Sequence, residues 1–229
     1  NQSAQKALAL FSHPSTKIQK YAVKTVAAIA SYGIDPATDK LFSLLSDTKD
    51  MQTRLFCIEA LGKTGDSSIV QQLLLMATHL RPAERRLLET TIASMGLKTV
   101  PTLLSFLKDS SRQDRQRILA GKILARLSPP QLQANLHDIL IAEKERAYFY
   151  FYYGHTVQNR YRNYDLADLE KTLLTSFQSV LDFIIHLLGS VGQVEDPELL
   201  VISLHSKNEK IHSNAVEALE TSCELEIFR

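Results

Sequence analysis

The chain has 229 residues, of which 45% are hydrophobic, and its Lys and Arg nearly balance its Asp and Glu to leave a net charge of +1. That length suits one elongated domain over residues 1–229 with a continuous core, and eight Gly, seven Pro and no low-complexity run leave no room for a long linker. Two cysteines are too few for a disulfide framework, and the absence of Trp removes the strongest base-stacking residue.

In chain order, the apolar run LALF ends at His13-Pro14 and is followed by a segment with Ile18, Ala22 and Val26 four residues apart, one face of a helix. LFSLL before Ser46-Asp47 leads into DMQTRLFCIEALGKTGD (50–66), where Cys57 and Leu61 hold the places of Ala22 and Val26. QQLLLMATHL before Arg81-Pro82 leads to Leu88 and Ile92, and TLLSFL before Lys108-Asp109 leads to Ala120 and Leu124. The last unit, NEKIHSNAVEALE (208–220), puts Ile211, Ala215 and Leu219 in the same frame. The anchors Val26, Leu61, Ile92, Leu124 and Leu219 thus recur at 35, 31 and 32 residues and then at 95, about three further periods. A period of about 30–45 residues predicts stacked helix pairs. The stripe eight, four and zero residues before each anchor should face a core, narrowed in the third and fourth units by Glu84 and Gln116. Gly33, Gly65, Gly96 and Gly192 are predicted to close helices with positive φ.

This grammar of helix, turn, helix and Gly resembles the HEAT-repeat, armadillo-type family, most closely in TRLFCIEALGKTGD (53–66). The resemblance implies an all-α fold, a right-handed α-solenoid of about six helix pairs that binds other macromolecules. It also implies that Arg54, Arg85 and Arg117, seven residues before their anchors, form a ladder tying neighbouring repeats together through backbone and acidic partners. A narrower resemblance, carried by the leucine-rich stretch after Asp165, the break at Glu195-Asp196-Pro197 and SNAVEALE (213–220), is to the HEAT segment of large bacterial transporter-like proteins that sometimes carry a cyclic-nucleotide-binding domain. It implies a cytoplasmic relay or assembly domain. HEAT-like arrays also resemble DNA glycosylases that excise alkylated bases, but those depend on an aromatic cleft with Trp, which this chain lacks.

Between anchors 124 and 219 the frame breaks into an irregular region, 147–192. AYFYFYYGHTVQNRYRNY (147–164) holds six of the eight Tyr, two Phe, Arg160 and Arg162. Two readings stand: Tyr150, Tyr153, Tyr161, Tyr164 and the two arginines grip a peptide or bases, or the aromatic rings fill a gap beneath a long helix. That long helix is predicted from Asp165 to about Gly189, bracing several repeats. Its most apolar part is interrupted by Gln178, Asp182 and His186, short of the roughly 20 apolar residues of a membrane span. No direct membrane insertion of the segment is expected, and no signal peptide is visible.

Residues 81–126 hold ten Lys or Arg against four acids, net +6, whereas 165–229 hold four against twelve, net −8. Such polarity can attract a bipolar partner or let the array stack head to tail with itself, and it also fits two solvated faces. The outward position two before the anchor reads Lys24, Glu59, Thr90, Lys122 and Glu217, a mixed sign that argues against a phosphate-tracking stripe. No Gly-rich phosphate loop, HExxH pair or CxxC companion occurs, so no catalytic residue, metal site or cofactor is expected. Cys57 reads as a buried thiol of a reducing cytoplasm. The expectation is therefore a non-catalytic cytoplasmic scaffold, a fragment of a larger protein since it opens at Asn1. Its partner, another protein or another domain of the same polypeptide, would be held by Lys20, Lys24, Arg86, Lys122 and the Arg160–Tyr164 region. Nucleic acid is the alternative partner.

Overall fold

The computed structural model describes residues 2–30, 38–161 and 164–222. Among these residues the chain is all-helical, with twelve α-helices, four short 3-10 turns and no strand. Two compact units divide it, residues 1–105 and 106–229.

The first unit holds α1 (Gln2–Ala9), α2 (Thr16–Ala30), α3 (Thr38–Asp47), α4 (Met51–Lys63), α5 (Val70–Met76), α6 (Pro82–Ser94) and most of α7 (Val100–Lys108). Short helices alternate with longer ones, and the longer ones lie side by side, α2 on α4 and α4 on α6. Local chemistry sets the boundaries. Asp50 caps α4 by accepting the Thr53 N–H at 2.7 Å, and Pro82 occupies the first turn of α6, where a missing N–H costs nothing. After α4 and α6 the chain turns at Gly65 (φ +64°) and Gly96 (φ +82°), in the left-handed region that other residues resist. Gly33 lies outside the described residues. The anchors Val26, Leu61 and Ile92 are buried, as are Ala22, Cys57 and Leu88 four residues earlier.

The expectation for the position eight before the anchor is corrected. Ile18 and Ile211 are 36% and 45% exposed, whereas Thr53, Glu84 and Gln116 are buried. The position lies in the first helical turn, where unpaired backbone N–H groups favour a polar side chain. Thr53 there donates its hydroxyl to Asp50 at 2.7 Å, and Glu84 accepts the Arg81 N–H at 2.9 Å.

The second unit contains α8 (Asp114–Leu127), α9 (Pro129–Arg160), α10 (Ala167–Ser190), α11 (Pro197–Leu204) and α12 (Glu209–Ser222). The predicted long helix is α10, and it buries Val180, Phe183, Ile184, Ile185, Leu187 and Leu188 along its second half. Its 24 residues include an 18-residue stretch of mean hydropathy 1.3, long and apolar enough to cross a membrane by length and composition, as the core helix of a soluble protein also is. The aromatic segment is not irregular: it is the second half of the 32-residue α9. From Gln131 to Tyr153 no Gly or Pro interrupts it, and Gly154 is accommodated because α10 approaches there. A Cβ at Gly154 would come within 2.7 Å of Leu174 Cδ2. With Phe151 against Phe177 at 5.3 Å, the crossings place α9 and α10 antiparallel. α8 packs on α10, and α11 packs on both α10 and α12. The anchors Leu124 and Leu219 are buried.

A candidate binding cleft beside an aromatic helix face

Arg117 is the largest fully buried side chain of the second unit. Its Nε donates to the Leu107 carbonyl at 2.9 Å, Nη1 to Asp114 Oδ1 at 3.0 Å and Nη2 to Glu143 Oε1 at 2.5 Å, while the guanidinium lies 4.1 Å from the centre of the Phe183 ring. Each nitrogen of the cation therefore has an acceptor, and one face of it an aromatic ring, as a buried charge requires. Asp114 in turn accepts Arg146 Nη2 at 2.6 Å and the Ser179 hydroxyl at 2.9 Å, and Arg146 Nη1 donates to the Ser110 carbonyl at 3.2 Å. Two arginines and two acids thus interlock α8, α9 and α10.

The outer side of this network floors an open cleft of about 420 Å³. Asp114 and Arg146 form its base, and Arg112, Arg115, Tyr150, Ser176 and Ser179 stand around it. Arg112 is fixed by Asp109 at 2.9 Å and by the Phe106 ring at 5.3 Å, while Arg115 is exposed. The Ser111 hydroxyl and N–H, followed by Arg112, hold the Asp109 carboxyl below the usual carboxylate range. Asp109 is ionised at ordinary pH and available to pair with Arg112.

Tyr150 joins the cleft to an aromatic face. Phe149 meets Tyr150 edge-on at 5.7 Å and Tyr153 at 4.6 Å, and Tyr152 meets Tyr153 at 5.3 Å. Tyr148, Phe149, Phe151, Tyr152 and Tyr153 are 69, 51, 45, 44 and 39% exposed. Of the six rings that α9 carries from Tyr148 to Tyr153, Phe151 packs against Phe177 of α10 and Tyr150 is half-buried, while the others lie largely toward solvent. Contiguous exposed aromatic surface of this kind marks interaction sites.

The other expected site residues are scattered. Lys20 and Lys24 sit over the Phe56 ring, 5.9 and 4.5 Å from its centre, and Arg86 is exposed on α6. Lys122, in the second unit, is half-buried with Nζ 3.7 Å from Glu198 Oε1. Burial, and then the Lys122 charge, push the nearby His186 below its ordinary value, so the ring stays neutral. Tyr161 and Tyr164 are exposed beyond α9; the Arg160 side chain and Arg162 lie outside the described residues. Of the three ladder positions, Arg54 donates to Glu84 at 2.7 Å and to the Leu45 carbonyl at 2.5 Å, Arg117 makes the bonds above, and Arg85 is exposed. Arg112, Asp114, Arg115, Glu143, Arg146 and Ser179 did not emerge from the sequence. The spacings Asp114–Arg117 and Glu143–Arg146 are a weak helical signal for them, since i,i+3 charge pairs are commonplace on solvated faces.

Among the described residues no group of three or more His, Cys, Asp or Glu is placed to hold a metal ion. No protein-family model matches the chain, and no curated protein sequence matches it significantly.

Proposed function

We propose that the chain is a non-catalytic, HEAT-like scaffold, a right-handed α-solenoid that docks a protein or another domain of its own polypeptide. The observation that carries this reading is the exposed aromatic face of α9 beside an arginine-lined cleft. Aromatic and Arg side chains concentrate binding energy, because they supply large contact area and forked donors at low entropic cost. The side-by-side packing of α2, α4 and α6, with Arg54 bridging to Glu84, supports the repeat architecture within the first unit. A place as the cytoplasmic middle segment of a bacterial membrane protein is consistent with the same reading.

A photo-crosslinking amino acid substituted at Tyr152 tests the proposal. In source-cell lysate it should form protein adducts more abundantly than the same group placed at the exposed Arg85 of the first unit. Equal yields from the two positions would reject the aromatic face as a docking surface.

Nucleic-acid binding is the second reading, favoured by the three arginines around the cleft and the net +6 of residues 81–126. It requires retardation of a single-stranded oligonucleotide that weakens steeply between low and physiological salt. No retardation at low salt would dispose of it.

A further inference from the structure

The cleft is built for a compact anion. Arg112, Arg115 and Arg146 line it with Asp114, and with the groups bonded to them, Arg117, Asp109 and Glu143, the cluster carries four arginines against three carboxylates, a formal charge of +1. Asp114 is already neutralised from inside, since Arg117, Arg146 and the Ser179 hydroxyl all donate to it. The opening therefore presents mainly N–H and O–H donors.

Two of the cations are held before any ligand arrives. Asp109 and Phe106 clamp Arg112, and Asp114 with the Ser110 carbonyl clamps Arg146. A ligand meeting fixed guanidinium groups loses little side-chain entropy on binding. Arg115, exposed at the rim, is free of that clamp and able to close over a bound group. Forked guanidinium donors match the oxygens of a phosphate group, which offers three acceptor oxygens where a carboxylate offers two.

The surroundings select the class of ligand. A volume of about 420 Å³ accommodates a side chain and its flanking backbone. The neighbouring surface is aromatic through Phe149, Tyr150 and Tyr153, and the first turn of α10 carries Asp168 and Glu170. A long polyanion running along α10 toward its first turn would meet those acids, whereas a peptide bearing one phosphate would not need to pass them.

We propose that this cleft receives a phosphorylated side chain of a partner protein, with Arg112, Arg115 and Arg146 on the phosphate and the flanking residues against Phe149, Tyr150 and Tyr153. The proposal rests on the reading of the chain as a protein-docking scaffold and adds the chemistry of the partner.

The probes are degenerate peptide pools with a central phosphoserine or phosphotyrosine, their unphosphorylated counterparts and a Glu-substituted pool, titrated against the full chain. At least one phosphorylated pool should bind, be displaced by inorganic phosphate, and weaken by about tenfold or more in R112A/R115A with the melting temperature unchanged. R115K should retain part of the affinity, since it keeps the charge and loses the fork. The proposal is overturned if unphosphorylated pools bind equally well, if neither phosphorylated pool binds at millimolar concentration, or if R112A/R115A binds as the parent does. Tighter binding of a single-stranded oligonucleotide than of any peptide at the same salt would overturn it in favour of nucleic acid. Phosphatase treatment of the lysate separates the two claims: a Tyr152 crosslink that survives it keeps the scaffold and removes the phosphate, whereas phosphopeptide binding without any crosslink does the reverse.

Discussion

Arg117 and Glu143 meet at 2.5 Å across 26 residues of sequence, with 1% and 3% of their side chains exposed. A pair so placed joins α8 to α9 and holds Arg146 and Asp114 in position, which gives the cleft its floor.

Arg117→Met should destabilise the chain by up to about 3–5 kcal/mol, because Glu143 loses its shortest ion pair and keeps only Arg146, 3.1 Å from its other oxygen. Adding Glu143→Leu should recover part of that loss, since a buried pair replaced by apolar residues of similar volume is often near neutral. Urea denaturation of the two single variants and the double variant measures the coupling. Strict additivity of the two losses would show that the pair does not act as a unit.

Acid should weaken the first unit through Glu84. Burial alone would raise its pKa, but the Arg54 guanidinium and the Arg81 N–H together hold the carboxyl below its ordinary 4.5. The unfolded chain therefore binds more protons at low pH, so Glu84 contributes stability above about pH 4.5 that fades as pH falls through the lowered value. Glu84→Gln should be less stable at pH 7 and show a shallower decline on acidification. Melting temperatures at pH 7, 5, 4 and 3 check this.

Cys57 should resist alkylation in the native state. Burial pushes its thiol up to about 12, against a weaker pull from Arg54, so almost no thiolate forms at neutral pH. Native and urea-unfolded protein treated with iodoacetamide should differ by one modified site at Cys57. Rapid native labelling at that residue would show that the first unit opens readily.

Gly154→Leu should cost about 1–3 kcal/mol by forcing α9 from α10 at Leu174. It should also weaken whatever binds the aromatic face, since Tyr150 and Tyr153 lie within one turn of the displaced backbone. A thermal melt reports the first effect and crosslinking from position 152 the second.

Much of the helical content was legible because it follows from spacing that every residue on a face must satisfy. The buried anchors, α10 and the positive-φ glycines at 65, 96 and 192 are of this kind. The polar residues Glu84 and Gln116 misled, because a hydropathy pattern registers their polarity and not the partners that permit burial. The cleft was not legible at all. Arg112 comes from the loop before α8, and Asp114, Arg146 and Ser179 from three helices, and only the antiparallel register of α9 on α10 brings residue 146 near residue 179. Six Tyr in 18 residues mark the end of α9 and the residues just after it, but which of the helical rings face outward depends on the side of α9 that Gly154 gives to α10.

A helix of 32 residues is about 48 Å long, and α9 carries on one continuous rod the buried Glu143 and, nine residues or about 14 Å further on, the water-exposed ring of Tyr152. Binding and folding of this unit therefore share one mechanical part. Whatever grips the wet end raises the heat needed to melt the dry end, by mass action. A simple melting curve becomes a search tool: candidate ligands can be ranked by how far each shifts it, before any partner has been named.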